Sequence, residues 1–253
     1  MLALQIWQSQ LLTSLNEKID AVNQVRPYNK HYAEQEVKTH YWEWELDFED
    51  PGASDIFDAN AGFGGRSTII PDVTEETLSS LNLDEICCVR DGRFKDLTPA
   101  WNMARPQPNV KAPLEFEPHC LRRCYTSNLV NYEAINGTWT DLAFSPQRIE
   151  ELLSMTDFDE FNFALEDLHF WFPTSVWGDI SSLLAPNEPL FYLHLTNVDR
   201  IWWKWQKRHK GAIDGLDDPL EFMSYPGMPD HPLRVKDVVK TESDLLCYNY
   251  STQ

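Results

Sequence analysis

The chain has 253 residues, the length of one large domain or at most two small ones. Forty residues are acidic and 21 are basic, which gives a formal net charge of −19. Such a chain repels nucleic-acid phosphates and anionic lipid, and no stretch approaches the roughly 18 uncharged apolar residues of a membrane span. We therefore expect neither nucleic acid nor a membrane as a main partner.

The first half of the chain predicts one helix followed by long irregular segments. Residues 1–20 carry an apolar stripe at helical spacing and lack the basic start of a secretory signal. Residues 40–72 are aromatic, acidic and rich in turn residues, which indicates ordered loop with at most a short strand. Residues 74–83 predict a short helix or turn. Residues 87–136 predict coil with brief strands, because Pro and Gly recur there.

The second half predicts three longer helices. The first has Ser145 as its cap and Pro146 as its first residue. The second begins after Thr156 or Asp157 and is predicted to end before Pro173, since proline disfavours helical geometry in the residue before it. The third covers 188–209, and the tail holds a short amphipathic piece at 235–239 before an extended end. This pattern is mainly α, with core helices carrying long irregular loops, and often serves a site inside a helical bundle.

The five cysteines do not predict a disulfide framework, because their number is odd and their spacing is scattered. They are Cys87, Cys88, Cys120, Cys124 and Cys247. Cys120 and Cys124 form a C-x3-C pair, but further zinc ligands at regular spacing are missing. We therefore expect thiols in an intracellular, cytoplasmic protein.

Two histidines stand alone on the predicted helices. Residues four apart share a helix face, so that H-x3-H is a common way to hold a metal. His169 has Leu165 and Pro173 at these positions, and His194 has Leu190 and Val198. By spacing alone, each is better explained as a core histidine, or as one that supports a site, than as part of a metal centre.

Longer motifs around these histidines resemble tyrosinases and their haemocyanin and catechol oxidase relatives. The stretch "LAPNEPLFYLHLTNVDRIWWKWQ" (184–206) is similar to the second copper-binding segment of that family, and "LHFWFPTSVWGDIS" (168–181) is similar to its H-N-x-x-H-x-x-V-G-G-D-M-S. Residues 39–65 and 242–250 resemble two further family segments, and "PHCLRR" (118–123) resembles a fungal version. The resemblance implies a tyrosinase-like helical bundle, over 1–253 as a single domain.

The resemblance also implies which residues stand at the metal positions. Active members hold two copper ions with six histidines, and the three ligands of the second copper would fall on His169, Pro173 and Leu195. Gln8 stands at the third ligand of the first copper, and the two earlier ligands would lie upstream of residue 1. His194 takes the place beside a ligand. Because one imidazole does not hold copper tightly, we expect a degenerate dicopper site without phenol or catechol oxidase activity.

Three functions stay open at this point. The first is a degenerate family member that binds an aromatic small molecule in fungal secondary metabolism. The second is a repurposed non-oxidative or zinc-dependent enzyme acting on such a metabolite, with His169 or His194 as general acid or base and Glu166 on the same helix face. The third is an N-terminally truncated copper-dependent polyphenol oxidase. The N-terminal part of the bundle would then be missing, and a second copy or a partner chain would cover the apolar face.

Overall fold

The computed structural model describes residues 37–38, 40–49, 51–65, 87–103, 114–125, 144–182, 184–213, 216–217, 219, 234–242, 246 and 248–250. Helices dominate these residues and the strands are short, which confirms the mainly-α tyrosinase-like fold class. The helices predicted over 1–20 and 74–83 lie outside the described residues, as does Gln8. The chain divides into a central unit, residues 42–152 and 163–194, and a terminal unit, residues 1–41, 153–162 and 195–253. A single domain over 1–253 stays a prediction.

Four α-helices occur in the described residues: α1, Pro146–Ser154; α2, Phe158–Ser175; α3, Pro189–Arg208; and α4, Val235–Val238. The predicted caps are confirmed, because Ser145 Oγ accepts the Arg148 N–H at 3.2 Å and Asp157 Oδ1 accepts the Glu160 N–H at 3.0 Å. Among the described helices, none has both the length and the apolar character that crossing a membrane requires.

The prediction that α2 ends before Pro173 is wrong, because this helix continues through the proline to Ser175. Proline has no N–H and so cannot bond the carbonyl four residues earlier. Only two helical residues follow Pro173, so the proline costs a single bond, the one to the His169 carbonyl, close to the end of the helix. A short strand starts directly after it.

The described strands form three two-stranded sheets. In the terminal unit β1, Val37–Lys38, pairs in parallel with β6, Tyr248–Asn249. In the central unit β2, Trp101–Met103, pairs with β3, Leu114–Phe116, and β4, Arg123–Tyr125, pairs with β5, Val176–Gly178; both pairs are antiparallel. Three single-turn 3-10 helices lie between residues 44 and 57, and two more lie between 179 and 187. The loop-like character predicted for 40–72 and 87–136 is thus confirmed where these segments are described.

The start of α3 is fixed in the central unit by a buried ion pair. Arg123 binds Glu188 with two hydrogen bonds, Nε to Oε2 at 3.1 Å and Nη2 to Oε1 at 2.7 Å, and both side chains are fully buried. Arg123 also donates to the Gly64 carbonyl, and Glu188 Oε1 accepts the Leu190 N–H at 3.1 Å. This bidentate pair therefore ties the first turn of α3 to β4.

The terminal unit is organised around a buried carboxylate and stacked rings. Asp199 Oδ2 accepts hydrogen bonds from Tyr248 at 2.8 Å and from Tyr250 at 2.6 Å. Phe161 stacks on Trp205, with their ring centroids 4.4 Å apart. These contacts hold β6 and the first turn of α2 against the second half of α3.

A disulfide joins Cys88 to Cys120, which corrects the expectation of free thiols. A bridge pairs Cys88 with Arg122, and the Val89 N–H donates to the Leu121 carbonyl at 2.8 Å, so the two short segments run side by side. Cys87 is disulfide-bonded as well. Spacing along the chain could not reveal this pairing, because the two cysteines are 32 residues apart and come together through backbone contacts between loops.

Candidate functional site

The two histidines that the sequence analysis singled out lie against one another in the central unit. His169 on α2 and His194 on α3 approach with Nδ1 of the first 2.9 Å from Nε2 of the second. Their rings are nearly parallel, with centroids 5.1 Å apart. Two residues that are 25 positions apart in the sequence therefore form one imidazole pair.

His194 is held in place by aromatic rings and is completely buried. Phe172, three residues after His169 on α2, stacks on it with a centroid distance of 4.3 Å. The Trp44 ring, also buried, lies 6.2 Å from the His194 ring. The Trp42 N–H donates to the Leu193 carbonyl at 3.3 Å, which fixes the loop that carries both tryptophans to α3.

Burial makes both imidazoles neutral at ordinary pH. It lowers the pKa of His194 well below its usual value, and proximity to His169 lowers this pKa further. Burial also lowers the pKa of His169, although the nearby Glu166 carboxylate acts in the opposite direction. A neutral imidazole has one N–H and one bare nitrogen, so the contact of 2.9 Å is a hydrogen bond with a single proton between the rings.

Three ring nitrogens around the pair have no hydrogen-bond partner among the described residues. His194 Nδ1 and Trp44 Nε1 are fully buried without one. His169 Nε2 is the third, and it is not among the buried atoms, so solvent reaches it. The pair therefore has one sealed end at His194 and one open end at His169.

The other predicted site residues have different surroundings. Glu166 is exposed one turn before His169 and acts on it electrostatically. Pro173, one turn after His169, is half-buried. Leu195 belongs to the terminal unit and is completely buried. The structure thus brings His169 and His194 together with Glu166 nearby, while a catalytic role for these three residues stays a prediction.

The dicopper centre that the resemblance implies does not fit the residues that the structure describes. Within those residues, no three His, Cys, Asp or Glu side chains come close enough together to hold a metal ion. Pro173 has no side-chain donor atom, and Leu195 is aliphatic. The remaining imidazole, His169, uses Nδ1 for the bond to His194 and has Nε2 alone for any ligand.

Trp44 is the site residue that sequence reasoning missed. It lies in the "YWEW" part of the segment that resembles the family, far from the histidines in sequence. The signal that could have indicated Trp44 is its place in a motif that resembles the family, where an aromatic residue can be expected to pack against the site. Its contact with His194 depends on how the loop folds onto α3, which no local pattern shows.

A further buried histidine in the central unit has a structural role. His119 Nε2 lies 3.0 Å from Asp179 Oδ1, and its Nδ1 lies 2.8 Å from the Glu117 carbonyl. Asp179 Oδ2 also accepts the Arg122 N–H at 2.8 Å. Both nitrogens of His119 are thus engaged, and the cluster joins the segment before β4 to the turn after β5.

Comparisons with known proteins agree with the resemblance seen in the motifs. The family described as the common central domain of tyrosinase matches residues 11–208. The tyrosinase-like proteins phomQ2 and phomQ1 of Diaporthe leptostromiformis are 30% and 32% identical over 223 and 235 residues, which cover 83% of this chain and 51% and 56% of theirs. Tyrosinase ustQ of Aspergillus flavus is 27% identical over 223 residues, covering 83% of this chain and 56% of its own. The chain spans about half the length of these fungal relatives.

Proposed function

This chain belongs to the tyrosinase family, and from that premise we propose that it binds an aromatic small molecule at the His169–His194 pair without oxidising it. One observation carries the proposal: the two imidazoles of the second copper-binding segment are hydrogen-bonded to one another. Copper is the usual cofactor of the family and activates O2 for phenol oxidation when bound. No step of the function proposed for this chain passes through it.

The donor atoms argue against copper at this segment. Borderline metals such as copper need several imidazole or thiolate ligands converging on one point. Of the three family positions here, His169 alone has a side chain with a donor atom. Its partner His194 is sealed in an aromatic shell, because Phe172 stacks on one of its faces at 4.3 Å. The site therefore offers one open nitrogen, which suits a single hydrogen bond to an organic ligand.

The surroundings of His169 favour an aromatic ligand. Phe170, the next residue, is 62% exposed, and its ring meets the Trp171 ring edge-on with centroids 5.1 Å apart. The two rings together present an apolar surface on this turn of α2. Aromatic ligands gain both buried area and ring contacts from such neighbours. An aromatic small molecule is thus the ligand class best matched to this part of α2.

Metal content, oxidation and binding test this proposal together. The purified chain is expected to contain less than one copper and to oxidise dopa at the background rate after copper is added. Two coppers per chain with turnover would overturn the proposal. Binding of a simple aromatic probe, followed by tryptophan fluorescence, should be weakened by His169→Phe. It should be unchanged in His40→Phe, because His40 is an exposed histidine of the terminal unit, whereas His169 belongs to the central unit.

A second candidate function is acid–base catalysis of a non-oxidative reaction, and the shared proton between the two rings favours it. As a general base, His169 would take a substrate proton on a bare Nε2, become imidazolium with its Nδ1–H bonded to His194 Nε2, and then return that proton to the product. Glu166 raises the pKa of His169, so Glu166→Gln should move the acidic limb of a pH–rate profile to lower pH. An unchanged profile would remove Glu166 from this mechanism. A zinc-dependent form needs further ligands, and the described residues do not group them.

We also propose that the protein matures in an oxidising compartment, in place of the cytoplasmic location expected from sequence. Disulfides such as Cys88–Cys120 persist where thiols are not continually reduced. Alkylation of cell extracts before reduction, followed by peptide mass analysis, should recover the Cys88–Cys120 peptide in oxidised form. If Cys88 and Cys120 are both fully alkylated before reduction, they are free thiols in the cell, and the cytoplasmic location is supported instead. Association with a second copy or a partner chain stays a proposal, which light scattering of the purified chain tests.

A further inference from the structure

Two buried ring nitrogens in the aromatic shell determine how the imidazole pair is protonated. Trp44 Nε1 and His194 Nδ1 both lack a hydrogen-bond partner, and their rings lie 6.2 Å apart. The indole nitrogen always carries a proton, whereas a neutral imidazole nitrogen is either a donor or an acceptor. Two N–H groups here would leave two buried donors without acceptors. A bare His194 Nδ1 would instead be an acceptor beside the Trp44 donor, and the two groups could share one buried water, which needs at least two polar partners.

A bare Nδ1 on His194 determines which ring nitrogens of both histidines carry a proton. If His194 Nδ1 is bare, the neutral ring carries its proton on Nε2 and donates it to His169 Nδ1 at 2.9 Å. His169 Nδ1 is then an acceptor, so the proton of neutral His169 is on Nε2. This is the nitrogen that solvent reaches and that has no partner among the described residues.

We infer that His169 presents an Nε2–H donor, and that the ligand is a neutral aromatic molecule with an acceptor oxygen, such as a ketone or aldehyde carbonyl. The ligand class rests on the proposed function, whereas the proton positions do not. The negative charge near His169 favours a neutral ligand over an anionic one. Glu166 is exposed one turn before His169, and the chain carries a net charge of −19. A carboxylate or phenolate would meet repulsion there. Pro173, one turn after His169, adds an apolar surface for the ring.

The same protonation explains why a metal is disfavoured at His169. A metal ion needs a bare imidazole nitrogen, and the bond on the other nitrogen sets which one is bare. Coordination through Nε2 would place the His169 proton on Nδ1, reverse the bond to His194, and move the His194 proton to Nδ1. That proton would then lie buried near the Trp44 N–H, with no acceptor for either group among the described residues.

The proton positions are tested on the ligand-free protein. Two-bond proton–nitrogen correlation spectra of the 15N-labelled chain at pH 7 should show both histidines with Nε2 protonated and Nδ1 bare, assigned with His169→Gln and His194→Gln. A proton on Nδ1 of either residue would overturn the inference. Trp44→Phe keeps a ring but removes the N–H, and it should shift His194 toward the Nδ1–H form. If that variant does not fold, the spectrum of the unmodified chain decides alone.

Three matched probes test the ligand class: acetophenone, α-methylstyrene and benzoate. The second replaces the carbonyl oxygen of the first with a methylene group, and the third adds a negative charge. Acetophenone should bind about tenfold more tightly than α-methylstyrene, the effect of one hydrogen bond, and benzoate should bind most weakly. Equal binding of the first two overturns the donor role of His169 and leaves aromatic binding intact. If none of the three binds, the proposed function and the ligand class both fail, and the spectra still decide the proton positions.

Discussion

The Nδ1 atom of His169 lies 2.9 Å from the Nε2 atom of His194. The two histidines of the segments that resemble the family's second copper-binding region therefore bond to one another. Burial lowers the pKa of both rings, so α2 and α3 here hold an imidazole pair with one open nitrogen. Because the pKa values of both rings are lowered, we expect the pair to make the stability of the protein depend on pH.

Stability should fall as the pH is lowered below about 6.5, the ordinary pKa of histidine. The pKa values of His194 and His169 are lowered in the folded chain, so the unfolded chain takes up protons at a higher pH. Acidification therefore stabilises the unfolded state relative to the folded state. Each histidine contributes at most about 1.4 kcal/mol per pH unit. Urea unfolding between pH 5 and 7.5 measures how steeply the free energy of unfolding falls with pH. This fall should be less steep for His194→Leu than for the unmodified chain. His40→Gln, at an exposed position, should keep the full slope; equal slopes in all three would refute the prediction.

Removing one partner of the buried Arg123–Glu188 pair should destabilise the chain strongly. Arg123→Met leaves the Glu188 carboxylate charged and buried, a change that typically lowers the free energy of unfolding by about 3–5 kcal/mol. Arg148→Met is the matched control, because Arg148 pairs with Glu151 at the surface, where such a contact contributes about 0–1 kcal/mol. Chemical denaturation of both variants measures the difference. Similar losses would mean that the buried pair does not anchor α3.

The helices that hold the site could be predicted from the sequence, because their ends are written locally. Ser145, Asp157 and Pro189 mark where α1, α2 and α3 begin, and the structure has each start where the sequence places it. The end of α2 could not be predicted from Pro173, because the helix tolerates the one lost bond and continues for two residues beyond the proline. Local signals therefore predicted where the three helices begin but did not predict where α2 ends.

The contacts that make the site could not be predicted, because they join segments that are distant in sequence. Nothing local to His169 indicates that it meets His194, and nothing in "YWEW" indicates that Trp44 borders that pair. The Cys88–Cys120 bond has the same origin, since loop backbones rather than spacing bring the cysteines together. The family resemblance located the segments, while their side-chain partners required the folded chain.

Breaking the Cys88–Cys120 disulfide should lower stability by restoring freedom to the unfolded chain. The bond closes a loop between residues 32 apart, for which the chain-entropy relation gives about 3–4 kcal/mol. The double variant Cys88→Ser, Cys120→Ser should show this loss in denaturant unfolding at neutral pH. The single variant Cys88→Ser should lose at least as much. A double variant as stable as the unmodified chain would mean that the bond does not constrain the fold.

The hydrogen bonds that Tyr248 and Tyr250 donate to the buried carboxylate of Asp199 should stabilise the folded chain. Burial and then the Asp199 charge raise the pKa of Tyr248, so its hydroxyl remains a donor throughout the usual pH range. Tyr250→Phe removes a donor of this buried charge and should destabilise the chain by about 1–3 kcal/mol. Tyr192→Phe, whose hydroxyl donates to the Pro186 carbonyl in a half-buried place, should lose less than about 1 kcal/mol. Thermal unfolding of both variants distinguishes these outcomes, and equal losses would mean that the tyrosine bonds to Asp199 are unimportant.

Pro173→His should create a metal-binding histidine pair on α2. The new imidazole would stand four residues after His169 on α2, and residues at this spacing lie on one helix face within reach of a common ion. Histidine is also a better helix residue than proline, by about 2–3 kcal/mol in a helix interior, so the variant should fold at least as well. Calorimetric titration with Zn²⁺ or Cu²⁺ should therefore show one new site, tighter than any site in Pro173→Ala, which removes the proline without adding a ligand. If Pro173→Ala gains the same affinity, the proline itself, rather than a missing donor atom, keeps metal from His169. If neither variant binds metal, the prediction is wrong, and proline at position 173 is not by itself what keeps an ion from His169.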